Sequence, residues 1–371
     1  MKRVIVAAIA MALLAVPAAS ARPAKHRPKP APCAATLGVI APATGQAAVI
    51  GQEIVNWTRL AIANWNKANH TRFSLVEGDD QLSAAQATTI AQQFASNHKI
   101  VGVVGPAASQ NVAAAGPVLN RVHIAMVSPS ATQTSLTTSG TLPDFFRVVA
   151  RDDAQAPTAA NYIIQTLHPK NVMVVDDQST FSTGLADAAQ AIFTKAGINT
   201  DRESVSQTAT DYSALVAKAS TADVIFITWQ LPANIKLFVQ QLQAQGKTMP
   251  TFATSFDGDT TYVSSFSINV HTYARDATLR KQYEAKFGTN YTGEFGPPSY
   301  VATQVLMTAV GSLCKAHKPV TRSNVLAAVR KVKIPNSIIG RTIAFDKQGD
   351  LVNGRFYLYK QISGGAYQLI G

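Results

Sequence analysis

This sequence predicts an α/β fold of two similar lobes, each a parallel sheet covered by helices, on three observations. Apolar runs of strand length alternate with amphipathic runs of helix length, the pattern of a parallel sheet with right-handed crossovers. The alternation restarts after Phe146, which divides it into two successive sets of about five units each. Beyond a leader, roughly 340 residues remain, more than one ordinary core accommodates.

In the first set, Leu37-Gly-Val-Ile-Ala reads as a strand and 52–66 as a helix, with Trp57 and Trp65 at a core spacing. A strand at 74–77 leads to a helix over 83–97. The run Ile100 to Val104 is continuously apolar, as expected of a parallel strand covered on both faces. Gly105 and Pro106 end it, and Ser109 is placed to cap a helix that continues through Val112 to Leu119. The next strand, 123–127, ends in Ser128-Pro-Ser-Ala-Thr132. Two strand–turn–helix units thus deliver hydroxyls where helices begin. Free N–H groups backed by hydroxyls bind an anion such as a carboxylate or phosphate, and in open α/β sheets ligands sit at these strand ends.

The second set runs through a strand at 172–176, a helix over 183–196 closed by Gly197, and a strand near Ser204. A helix at 212–219, the strand 223–228, a helix at 233–245 ended by Gly246 and the strand 251–254 complete it. Trp229 ends one of those strands, and because strand ends face the cleft it is a candidate pocket wall. Helices over 299–315 and 323–331 follow, and 354–370 reads as a hairpin turning at Ser363-Gly-Gly365. A β tail after α/β units fits two lobes that exchange segments. The expected lobes are 36–148 with 271–350, and 149–270 with 351–371, connected by three crossings that act as a hinge.

Residues 1–21 have the form of a secretory signal peptide: Lys2 and Arg3, an apolar core, and a small-x-small site at Ala19-Ser-Ala21. The apolar run is too short to span a bilayer. Cys33 follows Pro-Ala-Pro, so no lipid-anchor motif is formed. Residues 22–35 are expected to be a Pro-rich, basic, disordered leader. The formal charge is +12, but six of the cations precede Cys33 with no acid among them, which leaves +6 for the body. No basic stripe with interleaved aromatics occurs, and export argues against a nucleic-acid partner. The chain has two cysteines, Cys33 and Cys314. In an exported protein one disulfide is expected. Cys33 precedes the first strand and Cys314 lies in the last turn of a returning helix, which places both on the face opposite the cleft.

A catalytic constellation is missing from the sequence. The seven histidines include no His-Glu-x-x-His pair, and there is no Gly-x-Ser-x-Gly elbow or phosphate loop. The acid pairs Asp79-Asp80, Asp152-Asp153 and Asp176-Asp177 border loops, where Asp serves turns. No metal and no cofactor are expected, and no enzymatic activity.

Beside this reading, the chain resembles the solute-binding proteins of branched-chain amino acid ABC transporters, the Leu/Ile/Val-binding type, over nearly all of residues 36–371. The likeness is carried by Leu37-Gly-Val-Ile-Ala-Pro-Ala-Thr-Gly with Gly51-Gln52, by Asp79-Asp-Gln81, and by the two turns around Ser109 and Ser130. It continues in Phe146-Arg147, Arg151-Asp-Asp153, Phe181-Ser-Thr-Gly184, Asp211-Tyr-Ser-Ala-Leu and Phe345-Asp-x-x-Gly-Asp350. The resemblance implies the type I periplasmic binding fold: two Rossmann-like lobes joined by a three-strand hinge. It also implies a periplasmic monomer that captures a small amino acid-like ligand and delivers it to permease subunits in the inner membrane. A ligand sensor presenting its closed form to a signalling receptor is the second reading. By motif, Ser109, Ser130 and Thr132 would hold a carboxylate and Asp257 an ammonium. Ile50, Phe181 and either Trp229 or Gln230 would form walls. Two departures stand out. Tyr is common in the family where Ile50 and Phe181 stand, which makes this pocket more apolar. The segment 257–281 is shorter than usual, which leaves Asp257, Asp259 and Phe256 as alternatives.

Overall fold

The computed structural model describes Met1, residues 32–266 and residues 277–371. The expected signal peptide, residues 22–31 of the leader and the expected lobe boundary at 270/271 lie outside the described residues.

Two sheets form, and their helices alternate with the strands as the sequence predicts. The first contains β1 (Ala34–Ala41), β2 (Arg72–Asp79), β3 (Ile100–Val104), β4 (Ala125–Ser128) and β5 (Phe145–Arg147), in the order β2-β1-β3-β4-β5. All its pairings are parallel. Its crossovers are α1 (Ala48–Asn69), α2 (Ala84–Ser96), α3 (Ser109–Asn120) and the single turn α4 (Ser135–Thr138). In the second sheet, β6 (Asn171–Asp176), β7 (Asn199–Ser204), β8 (Val224–Ile227), β9 (Thr251–Ala253) and β10 (Tyr262–Ser265) repeat the same winding. Its helices are α5 (Asp152–Tyr162), α6 (Thr180–Lys195), α7 (Ser213–Lys218) and α8 (Pro232–Ala244). Helices α9 (Ala277–Phe287), α10 (Gly296–Lys315) and α11 (Arg322–Val329) come next, and the antiparallel pair β11 (Tyr357–Gln361) and β12 (Tyr367–Leu369) extends the second sheet beyond β10.

The winding follows from burial on both faces. Along β3, Val101 and Val104 join a core with α1, α10 and α11, while Ile100 and Val103 join one with α2 and α3. Successive strand side chains point to opposite faces, so only a sheet covered on both sides buries an unbroken apolar run. In the second sheet, Val172 and Val174 face α5 and α6, and Met173 and Val175 face α7 and α8. Although α10 and α11 are distant in sequence, they pack on the first sheet.

Three devices attach them. Glu53 of α1 is buried and accepts from the N–H groups of Thr292 (2.9 Å) and Gly296 (2.7 Å) and the Thr292 hydroxyl (2.6 Å), holding the start of α10. Burial pushes its pKa up to about 7 against the pull of those bonds. Arg322 donates to the carbonyls of Phe94, Ala95, Asn97 and Ile100 at 2.8–3.1 Å, satisfying the end of α2. The Cys33–Cys314 disulfide links the chain just before β1 to the last turn of α10, with Cα atoms 5.8 Å apart.

Three expectations for local structure change. His123 is not in a strand: it takes a left-handed φ of 56° in the turn after α3, and β4 begins at Ala125. Ser109 is the first residue of α3 and not its cap, which is Ala108. Asp152 and Asp153 open α5, where acids favour the positive end of the helix dipole.

Candidate ligand-binding cavity

In a 2-1-3 winding, loops leave the sheet in opposite directions at the switch between strands 1 and 3, and a crevice opens there. Both sheets place that switch at one cavity of about 600 Å³, part of it open to solvent. From the first sheet come Ala47 before α1 and Ile50 within it, Ala107 to Ser109 after β3, and Ser130 and Thr132 after β4. The second contributes Phe181 of α6, Gln230 and Leu231 after β8, and Thr254 and Ser255 after β9. Gln155, Phe266 and Phe295 close the space between them.

The wall at β3 and β4 is built by backbone contacts that few residues allow. Gly105 has a φ of 99°, and a Cβ there would stand 2.5 Å from the Ile40 carbonyl oxygen. Similarly, a Cβ at Gly51 would fall 2.0 Å from the Pro42 oxygen, so glycine lets α1 lie against the chain leaving β1. The Ser128 hydroxyl donates to the Pro106 carbonyl (2.8 Å) and accepts from the Ala131 N–H (3.0 Å), tying the two turns together. Ser130 donates its hydroxyl proton to the Ala107 carbonyl at 2.8 Å. Ser109 Oγ accepts from the Gln133 N–H at 3.4 Å, which leaves its own proton for a ligand. At the head of the twelve-residue α3, the N–H groups of Ser109 and Gln110 precede any intrahelical acceptor. This end of the cavity is a donor pole suited to an anion.

Arg147, fully buried on β5, holds the loop carrying Thr132. It donates to the carbonyls of Ala131 (3.1 Å) and Gln133 (2.9 Å), to the Thr137 hydroxyl (2.6 Å) and to Asp350 (2.7 Å). Asp350 also pairs with Arg151 at 2.9 Å, so the chain returning toward β11 is clamped to the segment leaving β5. Asp152 is buried beside the Thr132 hydroxyl and Arg147, and burial raises its pKa to about 7. Across the mouth, Gln110 of α3 donates to Gln230 Oε1 at 3.1 Å, and Gln207 donates to the same oxygen at 3.0 Å. The two walls are therefore in contact.

Six of the residues singled out from the sequence line the cavity: Ile50, Ser109, Ser130, Thr132, Phe181 and Gln230. Two do not. The Trp229 side chain turns away into the core, its ring 4.8 Å from Tyr212 and 5.2 Å from Phe238, because neighbouring side chains of extended backbone alternate in direction and Gln230 takes the cavity side. Asp257 spends its carboxylate inside its own turn, on the Thr260 N–H (3.0 Å), the Thr260 hydroxyl (2.6 Å) and the Tyr367 hydroxyl (2.8 Å). Asp259 accepts from Gln240 at 2.9 Å, and Phe256 packs on Tyr359 and Tyr367. None of the three alternatives reaches the cavity. Among the described residues, no ionisable side chain lines it, and no cluster of three or more His, Cys, Asp or Glu is placed to hold a metal.

Residues the sequence reading did not single out include Gln155, Leu231, Thr254, Ser255, Phe266 and Phe295. Thr254-Ser255 carried the signal used for Ser128–Thr132, hydroxyls at the end of an apolar strand. Phe295 carried none: it reaches the cavity only because α10 returns to the first sheet.

A family model described as periplasmic binding protein matches residues 34–366. An amino acid binding protein of Pseudomonas aeruginosa is 28% identical over 89% of this chain and 91% of its own length. Among solved structures, a leucine-binding protein of Thermotoga maritima superposes with a TM-score of 0.78 at 21% identity, covering 91% of this chain and 98% of that one. A solute-binding protein of an R. palustris ABC transporter, solved with benzoate, gives 0.79 at 16% identity, with 91% and 96% covered.

Proposed function

Since the chain belongs to the periplasmic binding protein family, we propose that it is an exported, non-catalytic receptor that closes two lobes around a small amino acid-like solute and delivers it to the inner-membrane permease of an ABC transporter. The observation that carries this reading is the cavity itself. It lies where the carboxyl ends of both sheets converge, with a donor pole at α3 and walls that are mostly apolar. The lobes in this proposal are 36–148 with 271–350 and 149–270 with 351–371, and the Arg147–Asp350–Arg151 clamp sits at two of the crossings. Ser109, Ser130 and Thr132 form the carboxylate end, Ser109 and the α3 N–H groups as donors and Ser130 by holding Ala107 in place. Ile50, Phe181 and Gln230 bound the side chain. A ligand that binds the closed form better than the open one shifts the population toward closure. Delivery is supported by the ABC transporter relative from R. palustris, and export by the form of residues 1–21. Native mass spectrometry of the purified protein tests the reading. The expected result is a co-purifying small carboxylic acid that unfolding releases and refolded protein rebinds unchanged. Chemical turnover of that compound on prolonged incubation would overturn it.

A further inference from the structure

We propose that the edge of the first sheet opposite the cavity is a docking face for a membrane surface rich in anionic lipid headgroups, centred on Lys318, Lys331 and Lys333. The inference goes beyond the receptor reading and does not depend on it.

Charge is segregated along this sheet. The order β2-β1-β3-β4-β5 sets Arg72 at the start of β2, Cys33 before β1, Lys99 before β3 and Arg121 in the turn leading to β4 along one edge. Two helix ends add to them. From the cavity wall at Phe295, α10 runs to Lys315, about 30 Å away at 1.5 Å per residue, and Lys318 follows. Across the foot of the sheet, α11 runs from Arg322, which donates to the Ile100 carbonyl at 3.0 Å, to Arg330, 3.7 Å from Asp144 before β5. Lys331 and Lys333 come next, and these seven lysines and arginines outside α11 are all exposed. The acid at these strand ends, Asp144, is 4% exposed and already faces His123 and Arg330. In the undescribed residues the sequence has one acid, Asp276, too few to neutralise the set. Lys318, Lys331 and Lys333 rim a single groove between α10 and α11, about 1000 Å³ and open to solvent, with Leu313, Ala328 and Val332 in its floor. Ammonium groups above an apolar floor match a phosphodiester headgroup and the glycerol beneath it, whereas a soluble anion uses the ammonium groups alone. The chain also enters the fold here, since Cys33 is bonded to Cys314, and residues 22–32 before it contain Arg22, Lys25, Arg27 and Lys29 with no acid. Basic residues near an anionic leaflet add their attractions, which favours a lipid surface over a single small anion. The cavity opens at the other end of the strands, so a receptor held by this face keeps its mouth open to solute.

Cosedimentation with lipid vesicles tests this, using the exported protein and vesicles of phosphatidylcholine alone or with one-third phosphatidylglycerol. Expected is binding of wild type to the anionic vesicles only, with a partition that falls at least tenfold between about 0.1 M and about 1 M salt as the screening length shrinks from about 10 Å to about 3 Å. The triple variant Lys318→Gln, Lys331→Gln, Lys333→Gln should partition about a hundredfold more weakly, roughly fivefold for each lysine. Its melting temperature should match that of wild type, because all three side chains are exposed. A folded triple variant that partitions like wild type would overturn the proposal, and so would equal binding to the neutral vesicles. Wild type that ignores both vesicles but binds poly-L-glutamate, and loses that binding in the triple variant, would overturn it in favour of an acidic protein partner. Each of these outcomes leaves the receptor reading standing.

Discussion

Removing the Arg147 side chain tests whether the cavity wall is held from behind. In Arg147→Met the carbonyls of Ala131 and Gln133 and the Thr137 hydroxyl lose donors at 3.1, 2.9 and 2.6 Å, and Asp350 loses one of its two arginines. Breaking a buried ion pair from one side costs about 3–5 kcal/mol because a charge is left uncompensated. Here Asp350 keeps Arg151 at 2.9 Å and the Thr137 hydroxyl at 2.9 Å, which points to the low end, about 3 kcal/mol. Lysine should not rescue the variant, since the four contacts use a planar fork that an ammonium cannot reproduce. Urea unfolding followed by circular dichroism gives the stability, provided fluorescence traces the same transition. Because Ala131 and Gln133 flank Thr132, affinity should fall by roughly tenfold even in buffer where the variant is fully folded. A stability loss under about 1 kcal/mol with unchanged affinity would refute the reasoning, since neither the charge nor the wall would then depend on Arg147.

Ser109→Ala should weaken binding of a carboxylate ligand by about ten- to hundredfold without changing the melting temperature, because a hydrogen bond to a charged group is lost and no buried partner is stranded. Thr132→Ala should weaken it by a similar factor and also lower the melting temperature, because the buried Asp152 carboxyl loses the Thr132 hydroxyl. Equal affinities by calorimetry would move the anion elsewhere. Asp257→Ala should do the reverse, lowering stability while leaving affinity unchanged, since its carboxylate serves Thr260 and Tyr367; a large affinity loss in folded protein would count against that placement. Stability should fall as pH rises from about 5 to about 8. Glu53, Asp152 and Glu294 have folded pKa values raised to about 7, 7 and 8, so the stability they contribute is complete below their unfolded values and is lost as pH climbs through the folded ones. Thermal melts that stay level or rise across that range would contradict the burial of these acids.

The winding of both sheets was legible because covered parallel strands read as short unbroken apolar runs, and in Ile100 to Val104 the five-residue length, the β-branched residues and the closing Gly-Pro decide for a strand over a buried helix. Donor-pole residues were legible for a related reason: Ser109 and Thr132 belong to turns whose position at a strand end follows from the winding alone. What failed was side-chain direction. Trp229 and Gln230 are adjacent, and periodicity places one of them in the cleft without saying which, because the parity of a strand end shifts with a single residue of twist or bulge. Asp257 failed differently. In Ser255-Phe-Asp-Gly-Asp259 the aspartate has two uses, a ligand or a turn, and only Tyr367 of β12, arriving from the far end of the chain, decides for the turn.

The same non-locality explains why Phe295 was missed. It has no motif around it; in sequence it is one aromatic in the approach to α10. It reaches the cavity because Glu53 accepts from the Thr292 and Gly296 N–H groups and draws the start of α10 against α1. The two ends of the cavity thus have different origins. The α3 end is a consequence of the switch in strand order. The Phe295 end is assembled by a helix that returns to the first sheet from far along the chain, so substitutions at the start of α10 can reshape it while leaving the α3 end untouched.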